Sequence, residues 1–330
     1  MRVMHSRRRV LAGLSLTGAA AFVGAPKSLH AEPPPETTTV RIGFDSSPCN
    51  APGKIADDLL RAEGFTDIRY MPHSLGAVVR SDADFDFDSV TGLLPYLDAG
   101  EPVVVLTGVH PGCYELFAQD SIQTISDLKG KRVGISQLGT GRHLFLEVVA
   151  AYVGLDPHTD INWVTSPKVS PAKLFEDGKI DAFLGFPPEP QELRSRKIGR
   201  VISSTTTDRP WSQYFCCMCV GNADYVRDHP VATKRYLRAT FKAAEICATE
   251  KAKAAQRLVE GGFTPRYDYA LQTLTELPYD TWRKFDPEDT IRFYALRLHE
   301  LGMIKSSPRK IIANGTNFHF LDELKRELKT

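Results

Sequence analysis

The run Cys216-Cys217-Met218-Cys219 is a dense group of reactive side chains and holds a C-x-x-C spacing. Thiolates so spaced exchange disulfides or hold soft metals. A redox pair of that kind opens a helix after a strand. This one lies inside an apolar run, where free cysteine packs as a small hydrophobe. Gly139-Thr140-Gly141-Arg142-His143 follows a strand-like segment and opens a helical one. The free N–H groups and positive dipole end there favour an anion, and Arg142 adds a fork of donors. The alternative is an ordinary capped helix with a solvated Arg142. The glycines begin like a dinucleotide fingerprint, but Leu144 stands where the last glycine is needed.

Further candidates flank these. Ser46 and Ser47 follow the first strand-like run and offer hydroxyls and backbone donors, or form a plain turn. Asp84, Asp86 and Asp88 alternate with Phe85, Phe87 and Ser89, the period of a half-buried strand. The aspartates then share one face, expected toward solvent. Asp88, nearest the strand's carboxyl end, is the one placed to meet an amine. His110 stands at a strand end, where a lone histidine is more often structural. Phe186 and Tyr214 are aromatic candidates. Trp211 and Tyr214 either wall an apolar ligand or belong to the core. The sequence holds no His-Glu-x-x-His, no Walker loop and no Gly-x-Ser-x-Gly elbow.

The elements that must position these residues alternate. Strands are expected at Val40–Phe44, Ile68–Met71, Phe85–Ser89, Pro102–Val109, Tyr114–Gln119, Arg132–Ser136, Asp160–Val164, Ile180–Gly185 and Tyr214–Val220. Helices or turns lie between most of them. Such alternation gives mostly parallel sheets with helices on both faces, and ligands bind at the carboxyl ends of the strands. From His229 the chain reads as nearly all helix: 229–260, 267–277, 287–301 and 318–328. At 330 residues the chain suffices for two units.

The amino terminus carries Arg2, Arg7, Arg8 and Arg9 before the apolar run Val10–Val23. A bilayer span needs about 20 such residues, so this shorter run reads as an export signal, cut after Ala31 or Ala25. Ser6-Arg7-Arg8-Arg9-Val10-Leu11 resembles the twin-arginine form. No cysteine near the cut offers a lipid anchor. Residues 1–31 hold five Lys or Arg and no Asp or Glu, so the remainder is net acidic. No basic field for nucleic acid exists. Residues 32–39, with Pro33, Pro34 and Pro35, read as a flexible leader.

Three segments carry a family resemblance. Ile125-Ser126-Asp127-Leu128-Lys129-Gly130-Lys131-Arg132-Val133-Gly134-Ile135 resembles the start of the second lobe of periplasmic substrate-binding proteins. The nearest branch is the nitrate/sulfonate/taurine group with its thiamine-pyrimidine-precursor binders. His110-Pro111-Gly112-Cys113-Tyr114-Glu115 resembles the first hinge crossing, and Gly178-Lys179-Ile180-Asp181-Ala182 a strand start. The resemblance covers about residues 40–262. It implies a two-lobed type II periplasmic binding protein fold, each lobe a mostly parallel sheet flanked by helices. Lobe one is residues 40–112 plus 218–330; lobe two is 113–217. It implies a soluble, monomeric receptor in the periplasm that hands a small solute to ABC permease subunits in the inner membrane. Sulfonate, nitrate, taurine or a pyrimidine is the expected class. No cofactor, metal or catalytic residue is expected. The ligand-contact candidates are Ser46, Ser47, Cys49, Asp88, His110, Cys113, Gly139, Thr140, Gly141, Arg142, His143, Phe186, Tyr214 and Cys216.

A rival reading is a pyrimidine-precursor-synthase-like enzyme on the same scaffold, whose cysteine-rich run falls at Cys216-Cys217-Met218-Cys219. An export signal argues against it. The implied fold brings Cys49, Cys113, Cys216 and Cys217 near the cleft floor. Reduced packing, a Cys113 disulfide and a metal site are the outcomes expected, in that order. Adjacent Cys216 and Cys217 point to opposite faces of a strand, so only part of the cluster can converge. No His-x-x-His or second C-x-x-C supplies further ligands.

Overall fold

The computed structural model describes residues 32–328; the export-signal reading of residues 1–31 lies outside them. Ten strands form two sheets. β1 (Thr39–Phe44), β2 (Asp67–Pro72), β3 (Phe85–Ser89) and β4 (Val103–Pro111) belong to the first. β5 (Glu115–Ala118), β6 (Arg132–Ile135), β7 (Asn162–Thr165), β8 (Ala182–Gly185) and β9 (Arg200–Ser204) form the second. β10 (Phe215–Asn222) returns to the first.

The orders are β2-β1-β3-β10-β4 and β7-β6-β8-β5-β9. In each sheet four strands run one way and one is reversed. The reversed strands, β10 and β5, are the two that follow a crossing between sheets. The two crossings are laced together. The Thr205 N–H donates to the Tyr114 carbonyl at 2.9 Å, and the Tyr114 N–H to Thr205 Oγ1 at 2.9 Å. Gly112, at φ 78°, lies so close to this lacing that a Cβ would sit 2.5 Å from Thr206 Oγ1.

Helices cover both faces of the sheets, and this burial corrects the reading of β3. Asp84 and Asp86 are each 1% exposed. A central strand walled on both sides has no solvent face, so its polar side chains find partners inside. Asp84 accepts the Arg41 backbone N–H at 2.7 Å.

Other differences have local causes. The helix expected over 229–260 is two, Pro230–Thr249 and Lys251–Glu260, broken at Glu250 (φ −120°, ψ 49°). One straight helix there would run about 48 Å; the break turns Ala254, Ala255 and Leu258 back onto the core. Helices Glu189–Arg196 and Pro308–Gly315 are not expected from the sequence, because their prolines read as breakers. Each begins with proline in its first turn, where the missing N–H costs nothing. The segment expected as a flexible leader is tied down: Glu36 accepts the N–H groups of Val231 and Ala232, both at 2.9 Å, at a helix start.

Candidate ligand cleft and the cysteine cluster beneath it

Loops at the carboxyl ends of β1, β3, β6 and β8 meet around a cleft of about 680 Å³. Ser46, Ser47 and Asp88 line one side. Gly139, Thr140, Gly141, Arg142 and Phe186 line the other. These eight of the expected residues therefore share one cavity.

The β1 loop is held from below. Asp45 Oδ1 accepts the Ser47 N–H at 3.0 Å. Lys54, 4% exposed, donates to Asp45 Oδ1 at 2.9 Å and to the Ser47 carbonyl. A buried ammonium requires such partners, and here they hold the loop in place, with the Ser47 hydroxyl turned inward to donate to Cys49 Sγ at 3.2 Å.

Asp88 does not stand alone. His73, a residue the sequence reading missed, places Nδ1 2.9 Å from Asp86 Oδ1 and Nε2 3.4 Å from Asp88 Oδ2. Burial opposes the charged imidazole, but the Asp86 hydrogen bond and both carboxylates outweigh it and raise its pKa to about 10. Burial also pushes Asp88 up, to about 6, against the pull of His73. Asp45 is the second carboxylate lining this wall.

The opposite wall is a helix start. Thr140 leaves the Gly141–Tyr152 helix without a side-chain cap and donates instead to the Gln137 carbonyl at 2.8 Å. Arg142 Nη1 lies 2.9 Å from Glu189 Oε2, and its guanidinium sits 5.6 Å from the Phe186 ring centroid. Glu189 also accepts the Phe186 N–H at 3.0 Å. Gly141 touches the other wall: Thr91 Oγ1 donates to its carbonyl at 2.7 Å, and a Cβ would fall 2.2 Å from Ser89 Oγ.

The remaining candidates lie elsewhere. His143 is buried behind the loop, where its Nδ1 accepts the Gly139 N–H at 3.0 Å; burial depresses its pKa to about 4. Tyr214 stacks on Phe293 at 4.1 Å and, with Cys216, lines a small separate gap. Both belong to the core behind the cleft.

Cys49, His110, Cys113 and Cys217 are buried together, one donor atom from each within 4.8 Å of the others. Cys217 alone of these also lines the cleft. The expected strict alternation at Cys216 and Cys217 is interrupted by a register shift in β10, and the Cys216 Sγ lies 3.1 Å from that of Cys113, at the edge of the cluster. The sequence offers no His-x-x-His or second C-x-x-C to supply a further ligand, and here the lone His110 stands beside the sulfurs instead. Antiparallel pairing sets His110 of β4 opposite Cys217 of β10, a proximity across more than a hundred residues that no local spacing encodes.

Residues 113–260 match the model of the NMT1-like family. No curated protein matches the sequence. Among solved structures, the chain is similar to the periplasmic nitrate-binding protein NrtA from Synechocystis PCC 6803. The identity is 16%, over 90% of both chains, with a TM-score of 0.76. It is similar to the alkanesulfonate-binding protein SsuA from Xanthomonas axonopodis pv. citri bound to MOPS. Here the identity is 18%, over 86% of this chain and 99% of that one, with a TM-score of 0.68. The desulfurization enzyme DSZB is also similar, at 16% identity over 88% and 99% of the chains and a TM-score of 0.59. The chain has the two-lobed fold of the nitrate- and sulfonate-binding proteins of ABC importers. That fold also carries an enzyme, so the site must decide function.

Proposed function

We propose that this protein is the exported receptor subunit of an ABC importer, closing on one small anionic or zwitterionic solute such as a sulfonate, nitrate, taurine or a pyrimidine. The observation that carries the reading is the polarity of the cleft. Asp45 and Asp88, partly balanced by Lys54 and the His73 imidazolium, line one wall, and the uncapped helix start at Gly139–Arg142, with Arg142 paired to Glu189, lines the other. An amine is attracted to the first and an acid group to the second, so the zwitterionic members of the class suit it best. Lobe one comprises 40–112 and, because β10 pairs in the first sheet from Phe215 rather than from 218, 215–330; lobe two lies within 113–214, and the crossings at 112–113 and 205–214 form the hinge. Ligand contacts available only in the closed state then favour closure.

Residues 1–31 direct the chain to the periplasm, and the mature protein works there as a soluble monomer beside its permease. No helix among the described residues is long and apolar enough to cross a membrane. The test is identification, by mass spectrometry, of the solute released when purified protein is denatured. One compound of this class at near-stoichiometric amount is expected; an empty protein unaffected by every member of the class contradicts the reading.

Enzymatic use of the cysteine-rich run is the second reading. Cys217 opens on the cleft, with His110 buried beside it. A receptor returns its solute unchanged, whereas thiolate chemistry consumes it.

A further inference from the structure

We propose that Cys49, His110, Cys113 and Cys217 form a closed four-ligand site for a thiophilic metal ion, zinc(II) in the first instance, that staples the hinge beneath the cleft. The donor set is the first argument. Three sulfurs and one ring nitrogen lie within 4.8 Å of one another, all buried. Sulfurs in a tetrahedral zinc site sit about 3.8 Å apart, so small side-chain rotations close the set.

The second argument is the histidine. His110 is 0% exposed and its Nε2 has no hydrogen-bond partner. Its Nδ1 lies 3.2 Å from the Pro111 carbonyl. A proton on Nδ1 donated to that carbonyl leaves a bare lone pair on Nε2. This is the arrangement in which an outer hydrogen bond fixes a ligating imidazole. Without a metal, an orphaned buried nitrogen costs stability.

The third argument is the backbone. Cys113 holds φ 95°, a conformation costly for any residue but glycine, and it stands at the first crossing beside Gly112. That conformation directs a sulfur into the cluster from a position where a tight turn alone would favour another glycine. Cys49 is anchored as well: Tyr279 Oη donates to its carbonyl at 2.9 Å.

Charge selects the ion. Three thiolates and a neutral imidazole around zinc(II) carry a net −1, around copper(I) a net −2. A buried site penalises the larger charge. Loading breaks three S–H bonds and releases three protons, with no change of oxidation state. The four ligands come from the β1 loop, the two ends of the first crossing and the return strand, so the ion fixes the hinge strands against lobe one. The site goes beyond the receptor reading and holds under either function.

The test is cobalt(II) titration of the reduced, chelator-stripped full chain under anaerobic conditions. One cobalt per chain is expected, with thiolate-to-cobalt charge-transfer bands and the visible bands of tetrahedral coordination. Zinc should bleach them stoichiometrically. Since all six cysteines are buried, loading should be read as slower modification of Cys49, Cys113 and Cys217 than in the stripped protein. Cys217→Ser and His110→Ala should each weaken cobalt binding at least about tenfold, while Cys247→Ser, in a helix away from the cluster, should leave the spectrum unchanged. The wild-type spectrum decides the matter even if a variant fails to fold. Six free thiols on denaturation with no charge-transfer band in the native protein overturns the proposal. So does a Cys113–Cys216 disulfide persisting in isolated protein, which removes Cys113 from the set, or a spectrum untouched by Cys217→Ser.

Discussion

At Asp88 a proton and a ligand compete. Its pKa stands at about 6, so its charge is lost as pH falls through that value. If it receives a ligand amine, affinity for a zwitterionic solute should drop below about pH 6, and Asp88→Asn should abolish that dependence while weakening binding at pH 7.5. Titration calorimetry at a series of pH values reads both. The stability effect has the opposite sense. A carboxyl raised above its ordinary 3.8 favours the fold at low pH, and that contribution fades as pH rises from about 4 through about 6. Arg142 gives a paired prediction. Arg142→Ala should cost an anionic ligand about 1.5–3 kcal/mol. Glu189→Gln, which releases the guanidinium from its 2.9 Å ion pair, should strengthen binding instead. Equal affinities in both variants would place Arg142 outside the ligand's reach. Asp88 and Arg142 were readable in the sequence because each stands at the end of an element with clear periodicity. His73 was not, and His110 was readable only as a candidate without its partners, because strand pairing and chain crossing bring each to its neighbours.

At the level of elements, two contacts set the cleft's shape. Gly141 lets the helix start it begins rest against Ser89 and Gly92. Gly141→Val should hold the walls apart and weaken ligand at least about tenfold, or about 1.4 kcal/mol, with a smaller change in melting temperature. A melting temperature that collapses in parallel would mean the glycine serves folding rather than closure. The β1 loop depends on Lys54. Lys54→Met leaves the Ser47 carbonyl without this donor and Asp45 without its ion pair, and should destabilise the protein by about 1–3 kcal/mol in denaturant unfolding. Most strands were legible from apolar runs bounded by turn residues. β9 was not, being a short edge strand of mixed polarity. The Glu189–Arg196 helix, which supplies the partner of Arg142, was hidden by Pro188 and Pro190, since proline reads as a breaker although it fits a helix's first turn.

The whole molecule joins two sheets through paired crossings, and its proposed work is to close across them. The topology was legible because of the alternation of elements and because one family-like segment spans the first crossing while two more lie in the second sheet. The polarity of the cleft was not, because it arises from loops of both sheets meeting. The export reading has its own check: Arg7→Lys with Arg8→Lys should leave precursor in the cytoplasm, and continued export in cells lacking the folded-protein translocase would refute the twin-arginine form. The central claim, reversible capture without chemical change, is tested most directly by calorimetric titration of purified protein with the solute it releases on denaturation, followed by mass spectrometry of the recovered ligand. The account predicts one site per chain, a melting temperature that rises with ligand as about 2.7 kcal/mol at a hundredfold excess over Kd requires, and full recovery of the ligand intact. Loss of the ligand with appearance of a product would contradict it.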